Sequence, residues 1–213
     1  MACFHEGVLM PKANSTLPPV SVSWAAQRIT PNGSVEPSLT LFRKTLGDAA
    51  DERPMQTFLA CHPHLLECLL LPGRDAWCWD RPRFGSESIP DFLLCTRNSA
   101  GFEWVMVELE SPSVSPLTQA GLPTAKLREA QGQVQDWRIW LRDNIAYAQT
   151  QLGFQGLTAE AQAIIVIGRR SAVATKHAKK WREINTSNTR IMTYDRLIDS
   201  FGSGRTANGA NNA

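Results

Sequence analysis

The run FEWVMVELE at residues 102–110 constrains the fold of this chain more than any other segment. Side chains alternate between the two faces of a strand, so Glu108 and Glu110 share one face while Val107 and Leu109 take the other. Up to residue 107 the run is apolar on both faces, which is typical of a central strand covered on both sides. The sequence therefore predicts a buried strand that ends in two carboxylates.

Shorter runs predict the elements that surround this strand. Apolar runs bounded by turn residues predict further strands at residues 76–80, 91–96, 161–168 and 190–194. Apolar residues at three- and four-residue steps predict helices at residues 51–70 (with a break at Pro63), 124–147, 173–185 and 195–201. This order indicates an α/β fold with a mixed sheet flanked by helices, in which the first three strands form an antiparallel meander.

The chain is predicted to form one domain with less regular ends. Residues 50–201 form the domain and residues 1–49 a partly ordered N-terminal extension. Residues 202–213 contain no apolar residue able to anchor them and are expected to be disordered. Within the extension, the apolar runs VSVSWAAQRI and LTLFRKTL are interpreted as strands that cover one edge of the core, although their periodicity leaves the type of element open.

Composition excludes several classes of protein. The net charge is only +2, so affinity for nucleic acid has to come from a local patch. No run approaches 18 consecutive apolar residues, and no basic flank with an apolar stretch opens the chain, so neither a membrane span nor a secretion signal is expected. The five cysteines are odd in number and form no CxxC pair, which favours reduced thiols in a cytoplasmic protein.

Cys61, His62, His64 and Cys68 have the composition of a zinc site but not its spacing. Pro63 interrupts them, and no second pair with zinc-like spacing follows. We therefore interpret them as helix and turn residues.

Asp91 opens the strand before the central one and brings a third carboxylate to the same place. In a hairpin-like pair the start of one strand lies beside the end of the next, so Asp91 should neighbour Glu108. Two like charges at about 4 Å repel by on the order of 4 kcal/mol at an effective dielectric near 20. Such carboxylates either share protons or bind a hard cation such as Mg²⁺, which serves phosphodiester hydrolysis. The plain alternative is a strand whose glutamates reach solvent, preceded by a turn at Asp91.

These residues resemble the PD…(D/E)XK signature of restriction-like nucleases, with Ile89-Pro90-Asp91-Phe92 followed by Val107-Glu108-Leu109-Glu110. More narrowly, residues 50–200 resemble the nuclease domain of the Shedu anti-phage defence proteins. Segments similar to the family's first helix, its glutamine-bearing long helix and its later strands occur in the same order, at residues 54–66, 129–138, 167–169 and 193–197. The resemblance implies a PD-(D/E)XK restriction-endonuclease-like fold.

The resemblance also implies roles for individual residues. Asp91 and Glu108 would bind Mg²⁺ or Mn²⁺. Gln133 would orient the site together with Trp137, four residues later on the same helix face. The plain alternative is that Trp137 packs in the core and that Gln133 merely flanks the buried stripe.

Glu110 is a departure from the common signature, which has lysine at this position. A glutamate cannot stabilise the charge of the phosphate in the transition state, but it could serve as an extra metal ligand or as a general base. Lys126, near the start of the long helix, could supply a cation from another element, or it could be a solvated helix residue. The substitution leaves both a catalytic and a non-catalytic interpretation open.

A basic segment follows the fourth predicted strand. Its residues Arg169, Arg170, Lys176, Lys179 and Lys180 are candidate nucleic-acid contacts, and the three lysines are expected on one face of the predicted helix at 173–185. Such a run of charge is more commonly a solvated helix face. No feature of the sequence indicates base-specific recognition.

Together these features predict a cytoplasmic, prokaryotic, metal-dependent nuclease that hydrolyses phosphodiester bonds, with DNA as the expected substrate and anti-phage defence as its setting. The fold also commonly works as a homo-oligomer. One alternative is a catalytically inactive nuclease-fold module that binds DNA or regulates another protein. Another is a protein-binding sensor in which the first 46 residues form the contact surface.

Overall fold

The computed structural model describes residues 20–30, 35–84, 90–173 and 177–203. The α-helices are α1 (Val20–Gln27), α2 (Glu36–Asp48), α3 (Arg53–Cys61), α4 (Ala125–Asp143), α5 (Ile145–Thr150), α6 (Ala178–Glu183) and α7 (Tyr194–Ser203). The strands are β1 (Asp75–Asp80), β2 (Phe92–Asn98), β3 (Gly101–Leu109), β4 (Gln162–Val166) and β5 (Thr189–Met192). Two 3-10 helices lie at Pro63–Leu69 and Arg170–Ala172.

The five strands form one mixed sheet in the order β1-β2-β3-β4-β5. β1, β2 and β3 are antiparallel neighbours, whereas β3, β4 and β5 run parallel. The predicted strands, the antiparallel meander and the mixed sheet flanked by helices are therefore confirmed, with strand bounds within two residues of those expected.

β3 separates two apolar cores, as its double-sided pattern predicts. Val105 and Val107 face a core shared with α2, α3 and α7, and Trp104 and Met106 face a core shared with α4. The second core is rich in aromatic rings because β1 and β3 present tryptophans on that face. Burial on both faces holds β3 in the middle of the molecule and places its carboxyl end under the surrounding helices.

The N-terminal segment was expected to form strands, and that expectation is wrong. Residues 20–27 and 36–48 are helical. In α2 the buried residues Leu39, Phe42 and Leu46 recur at helical steps, while Leu41, which an alternating strand would place beside Leu39, is half exposed. Only a short piece after α1 joins the sheet, through one antiparallel bridge between Arg28 and Trp77.

Both described parts of this segment pack onto the domain. The indole ring of Trp24 on α1 makes edge contacts with Trp77 and Trp79, with ring centroids 4.9 and 5.0 Å apart, and its Nε1 donates to the Gly153 carbonyl at 3.1 Å. The apolar face of α2 belongs to the first core. Residues 1–19 of the predicted extension and residues 204–213 of the predicted tail lie outside the described residues.

Three predicted helices differ in extent from those observed. The helix expected at 124–147 ends at Asp143, and α5 begins after Asn144. The helix expected at 173–185 is shorter, because only Ala178–Glu183 is α-helical in the described residues. The helix after Tyr194 is longer than one turn, since its apolar face packs on the first core. The predicted break at Pro63 is confirmed.

The outer edge of β5 is covered by the loop that precedes it. The side chain of Asn185 accepts a hydrogen bond from the Ile191 N–H at 2.6 Å, and the Thr186 hydroxyl accepts one from the Thr189 N–H at 3.0 Å. At the opposite edge, the Ile29 N–H donates to the Ala76 carbonyl of β1 at 2.8 Å.

Across the described ranges, no helix has the length and apolar character needed to cross a membrane.

Candidate acidic site at the carboxyl end of strand β3

Asp91 and Glu108 are neighbours across the β2–β3 pair. The register pairs Phe92 with Val107, so the next position along places Asp91 beside Glu108. The backbone N–H of Leu109 donates to Asp91 Oδ2 at 2.8 Å, which fixes the carboxylate against the end of β3. The sequence-based expectation about the position of this pair is confirmed.

Glu110 lies just past the end of β3, where its backbone is held from two sides. Its N–H donates to the Val166 carbonyl of β4 at 2.8 Å, and the buried Tyr194 hydroxyl donates to the Glu110 carbonyl at 2.8 Å. Glu108 and Glu110 are only 7% and 6% exposed, so both of these acids are largely removed from solvent.

Burial raises the pKa of each of these three carboxyl groups. The pKa of Asp91 is raised to about 6, first by burial and then by nearby acids, against a lowering contribution from the Leu109 hydrogen bond. The pKa of Glu108 is raised to about 9, by burial and then by the charges of Asp91 and Glu110. Burial also raises the pKa of Glu110, while the ammonium of Lys126 lowers it. The cluster therefore favours either protons or a cation.

Glu52 is a fourth acid close to Asp91, Glu108 and Glu110, and the sequence did not predict its position there. It precedes the first turn of α3, and its charge contributes to the raised pKa of Asp91, Glu108 and Glu110. One turn later, Gln56 Nε2 donates to Asp80 Oδ1 at 2.7 Å, so the start of α3 faces this end of the sheet. The only sequence signal was the acid before the helix, which the helix dipole explains equally well.

The start of α4 lies near Glu110 and brings a cation there. Thr124 caps α4 by accepting a hydrogen bond from the Leu127 N–H at 3.4 Å. Lys126 forms an ion pair with Glu129 at 3.1 Å, and both side chains act on the pKa of Glu110. Lys126 is thus the cation that the sequence suggested could approach the site from another element, although its side chain is 53% exposed.

The two α4 residues singled out in the sequence have different surroundings. Trp137 is 2% exposed and packs in the second core, which agrees with the plain interpretation. Gln133 is exposed, and it lies one turn after Glu129 and two turns after Lys126 on the same side of the helix. Its side chain therefore shares the helix face that reaches Glu110.

The donors of this site are all oxygen atoms, which suits a hard cation such as Mg²⁺ or Mn²⁺ better than zinc. Within the described ranges, no three His, Cys, Asp or Glu side chains lie close enough together to bind a metal ion by themselves. Mg²⁺ usually takes one or two protein carboxylates and completes its shell with water and substrate oxygens. Asp91 and Glu108 could supply those two carboxylates.

The histidines near residue 62 have structural partners. His62 Nδ1 lies 2.9 Å from the Phe58 carbonyl, and His64 Nε2 lies 3.1 Å from the Ser38 hydroxyl. These contacts agree with their interpretation as helix and turn residues. Cys68, Cys78 and Cys95 are free thiols, whereas Cys61 is disulfide-bonded, so the expectation of reduced thiols is wrong for that residue.

Four of the five basic residues expected to contact nucleic acid already have partners in the described part of the chain. They form ion pairs or backbone hydrogen bonds, namely Arg169 with Asp195 (3.1 Å), Arg170 with Asp199, Lys179 with Glu183 (3.8 Å) and Lys180 with the Ala120 carbonyl (2.8 Å). Lys176 lies outside the described residues. The expected single face of three lysines is not formed by α6, because that helix begins at Ala178. Their contact with nucleic acid stays a prediction.

A mixed sheet flanked by helices, with buried acids gathered at the end of its central strand, defines an α/β domain with an acidic site. Residues 49–198 match the family described as Shedu protein SduA, C-terminal, which covers 150 of the 213 residues (198 − 49 + 1). The chain belongs to this Shedu family, as the sequence resemblance implied. Family membership associates the chain with anti-phage defence. No curated protein matches the chain.

Proposed function

We propose that this domain is a metal-dependent nuclease that hydrolyses phosphodiester bonds, with DNA as substrate, in anti-phage defence. The observation that carries the proposal is the pair formed by the partly buried Asp91 and the buried Glu108, side by side at the end of β3 with raised pKa values. Burying carboxylates beside one another costs free energy, and acids with a purely structural role are rarely buried in this way without a cationic or hydrogen-bonding partner. A divalent cation would supply the missing charge, and the Shedu family association with nuclease defence favours this chemistry.

Asp91 and Glu108 are the proposed metal-binding residues. The Leu109 N–H orients the Asp91 carboxylate, and the strand register places the backbone of Glu108 next to it. When bound, Mg²⁺ or Mn²⁺ lowers the pKa of a bound water and neutralises charge on a phosphate. The fold that we propose for this arrangement is of the PD-(D/E)XK kind.

Glu110 and Lys126 together replace the lysine of the common signature in this proposal. Burial raises the pKa of Glu110, which makes its carboxylate a better base, and its proposed role is to accept a proton from an attacking water. Lys126 lies near Glu110 and keeps a half-exposed ammonium group able to turn toward a phosphate oxygen. Gln133, on the same face of α4, is proposed to orient the substrate.

The rival proposal is a nuclease-fold module that binds DNA without cutting it. The specific observation in its favour is Glu110, an acid where the signature has a cation. The two proposals differ in a measurable way, because only the nuclease needs Asp91 and Glu108 for its effect on DNA.

The test is incubation of the purified chain with supercoiled and linear DNA in Mg²⁺, Mn²⁺ or EDTA. The comparison includes Asp91→Ala, Glu108→Ala and a control, Asp136→Ala, which removes an exposed acid from α4. We expect metal-dependent cutting by the wild type and the control, and a loss of at least about 100-fold in the two site variants. Equal DNA binding by all four proteins without cutting under any condition would instead support the non-cleaving module.

A further inference from the structure

Arg190 on β5 has an unusual environment. Its Nε atom is the one buried side-chain nitrogen or oxygen that has no hydrogen-bond partner within the described part of the chain. Burial and the neighbouring Arg196 guanidinium lower the pKa of Arg190. Buried polar groups are nearly always paired, and two guanidinium groups side by side repel each other. The Nε of Arg190 is therefore a buried donor for which the described part of the protein supplies no acceptor.

Arg190 lines a cavity of about 350 Å³ along the outer side of β5. Arg182, Asn185 and Arg196 also line it, together with Trp181, which is partly buried and packs against the second core. No carboxylate belongs to the described lining of this cavity. A neighbouring cavity does contain Asp199, but that acid is paired with Arg170.

This combination of side chains suits one kind of ligand. Arginine guanidinium groups bind phosphate oxygens through paired hydrogen bonds. Asn185 Nδ2 donates one of its two N–H groups to the Trp181 carbonyl at 2.8 Å and has one more to offer. An indole face stacks on nucleobases with little preference among them. The cavity volume is within the range of small-molecule sites, and a single nucleotide is of that size.

We propose that the cavity formed by Trp181, Arg182, Arg190 and Arg196 binds a nucleotide unit, with its phosphate on the arginines and its base against the indole. It is separate from the acidic site, because β4 lies between β5 and β3, a lateral spacing of about 10 Å. The same chemistry is offered by a free mononucleotide and by one nucleotide of a nucleic-acid strand. The inference does not depend on cleavage, since no residue of the acidic site lines the cavity.

The experiment measures binding by isothermal titration calorimetry in EDTA, so that cleavage plays no part. The ligands are adenosine 5′-monophosphate, its two halves adenosine and inorganic phosphate, and a short single-stranded oligodeoxynucleotide. The proteins are the wild type, Arg190→Met, Trp181→Ala and the control Arg142→Met, which removes an exposed arginine from α4. Methionine keeps the length of the arginine stem while removing the guanidinium.

We expect Arg190→Met to weaken mononucleotide or oligonucleotide binding at least about tenfold and to raise the Tm, because an unpaired buried donor is removed. Trp181→Ala should weaken binding of the nucleotide but not of inorganic phosphate, and Arg142→Met should change neither. A loss confined to the oligonucleotide identifies a strand as the source, and a loss confined to the mononucleotide identifies a free ligand. A loss for both shows that the cavity binds the nucleotide unit in either form. Absence of nucleotide binding by the wild type, or binding that both cavity variants leave unchanged, would overturn the proposal even if metal-dependent cleavage is observed.

Discussion

Buried charge has opposite surroundings at the two ends of the parallel strands. At the amino ends of β4 and β5, the guanidinium of Arg138 is 4% exposed and donates four hydrogen bonds of 2.7–3.3 Å. The acceptors are three backbone carbonyls and one hydroxyl, from Ala159, Ala161, Asn188 and Thr189. At the carboxyl end of β3, Glu108 is 7% exposed and Asp91 is partly buried, and the charges of other acids raise the pKa of both.

The difference separates a structural charge from a functional one. Arg138 has protein partners for its donors, so its burial ties α4 to the sheet and requires no ligand. The acidic end has an excess of like charge that only protons or a cation can relieve, so it costs folding stability in their absence. Substitutions at the two ends should therefore change stability with opposite signs.

Arg138→Met should give the largest change. It removes the donor from four acceptors, and because the Asn188 carbonyl still accepts from the Ala163 N–H, up to three of them are left without a donor. An unsatisfied acceptor costs roughly 1–3 kcal/mol, so we expect the free energy of unfolding to fall by about 3 kcal/mol or more. Urea denaturation measures this change. Arg142→Met, one turn along α4, should change it by less than about 0.5 kcal/mol. Equal effects of the two substitutions would show that the Arg138 network contributes no more than a surface charge.

Divalent metal should stabilise the acidic end. A cation that binds only the folded chain at a hundred times its Kd adds about 2.7 kcal/mol to the free energy of unfolding, so at pH 8 the Tm should rise on addition of Mg²⁺ or Mn²⁺. Asp91→Asn should abolish the rise. Thermal denaturation with and without EDTA measures it, and a rise that is retained in Asp91→Asn would place the metal elsewhere.

Glu108→Gln should stabilise the metal-free protein. It replaces an acid that is costly to ionise in the folded chain by a neutral group of the same shape, and at pH 7 we expect a gain of about 1–3 kcal/mol in the free energy of unfolding. Glu103→Gln, on the same strand in a half-buried position, is the matched control and should have little effect. A loss of stability in Glu108→Gln would mean that the carboxylate already has adequate partners.

The pH dependence of stability follows from the same carboxyls. The folded-state pKa values of Asp91 (about 6) and Glu108 (about 9) lie above the ordinary values of 3.8 and 4.5. The folded chain therefore binds more protons than the unfolded chain between these values, and stability must fall as pH rises. In EDTA the Tm should decline from about pH 4 to pH 9, and Glu108→Gln should flatten the upper part of the curve.

Gln133→Ala should have the smallest effect. If the glutamine orients substrate on the face of α4 that reaches Glu110, its loss lowers the cleavage rate by about tenfold and leaves stability unchanged. Gln135→Ala removes an exposed glutamine from the opposite side of the helix and should change the rate by less than twofold. A similar rate for both variants would remove Gln133 from the site.

Local patterns predicted most of the sheet and part of the site. Alternation along β3 and the turn before it place Asp91 beside Glu108, because strand register is decided by neighbouring segments of the chain. Glu52 could not be placed in this way, since its approach depends on how α3 packs against the sheet. Arg138 was missed for the same reason, because its hydrogen-bond partners come from distant segments of the chain.

The N-terminal helices show the limit of short apolar runs as a signal. In LTLFRKTL, both alternating and helical spacing can be found, and only the packing of Leu39, Phe42 and Leu46 on the first core selects the helix. The basic segment shows a different limit. Its charges predict a solvated or phosphate-binding face, but their pairing with Asp195 and Asp199 follows from the position of α7.

The covered edges of the sheet restrict how copies of this chain can associate. An exposed edge strand invites another chain to add a strand by main-chain hydrogen bonds, a route to both dimers and aggregates. Here Asn185 and Thr186 occupy donors along β5, and the Ile29 N–H occupies a carbonyl on β1. A homo-oligomer is therefore not expected to extend the sheet from β5, and on that side of the molecule side-chain contacts of helices and loops should determine its geometry.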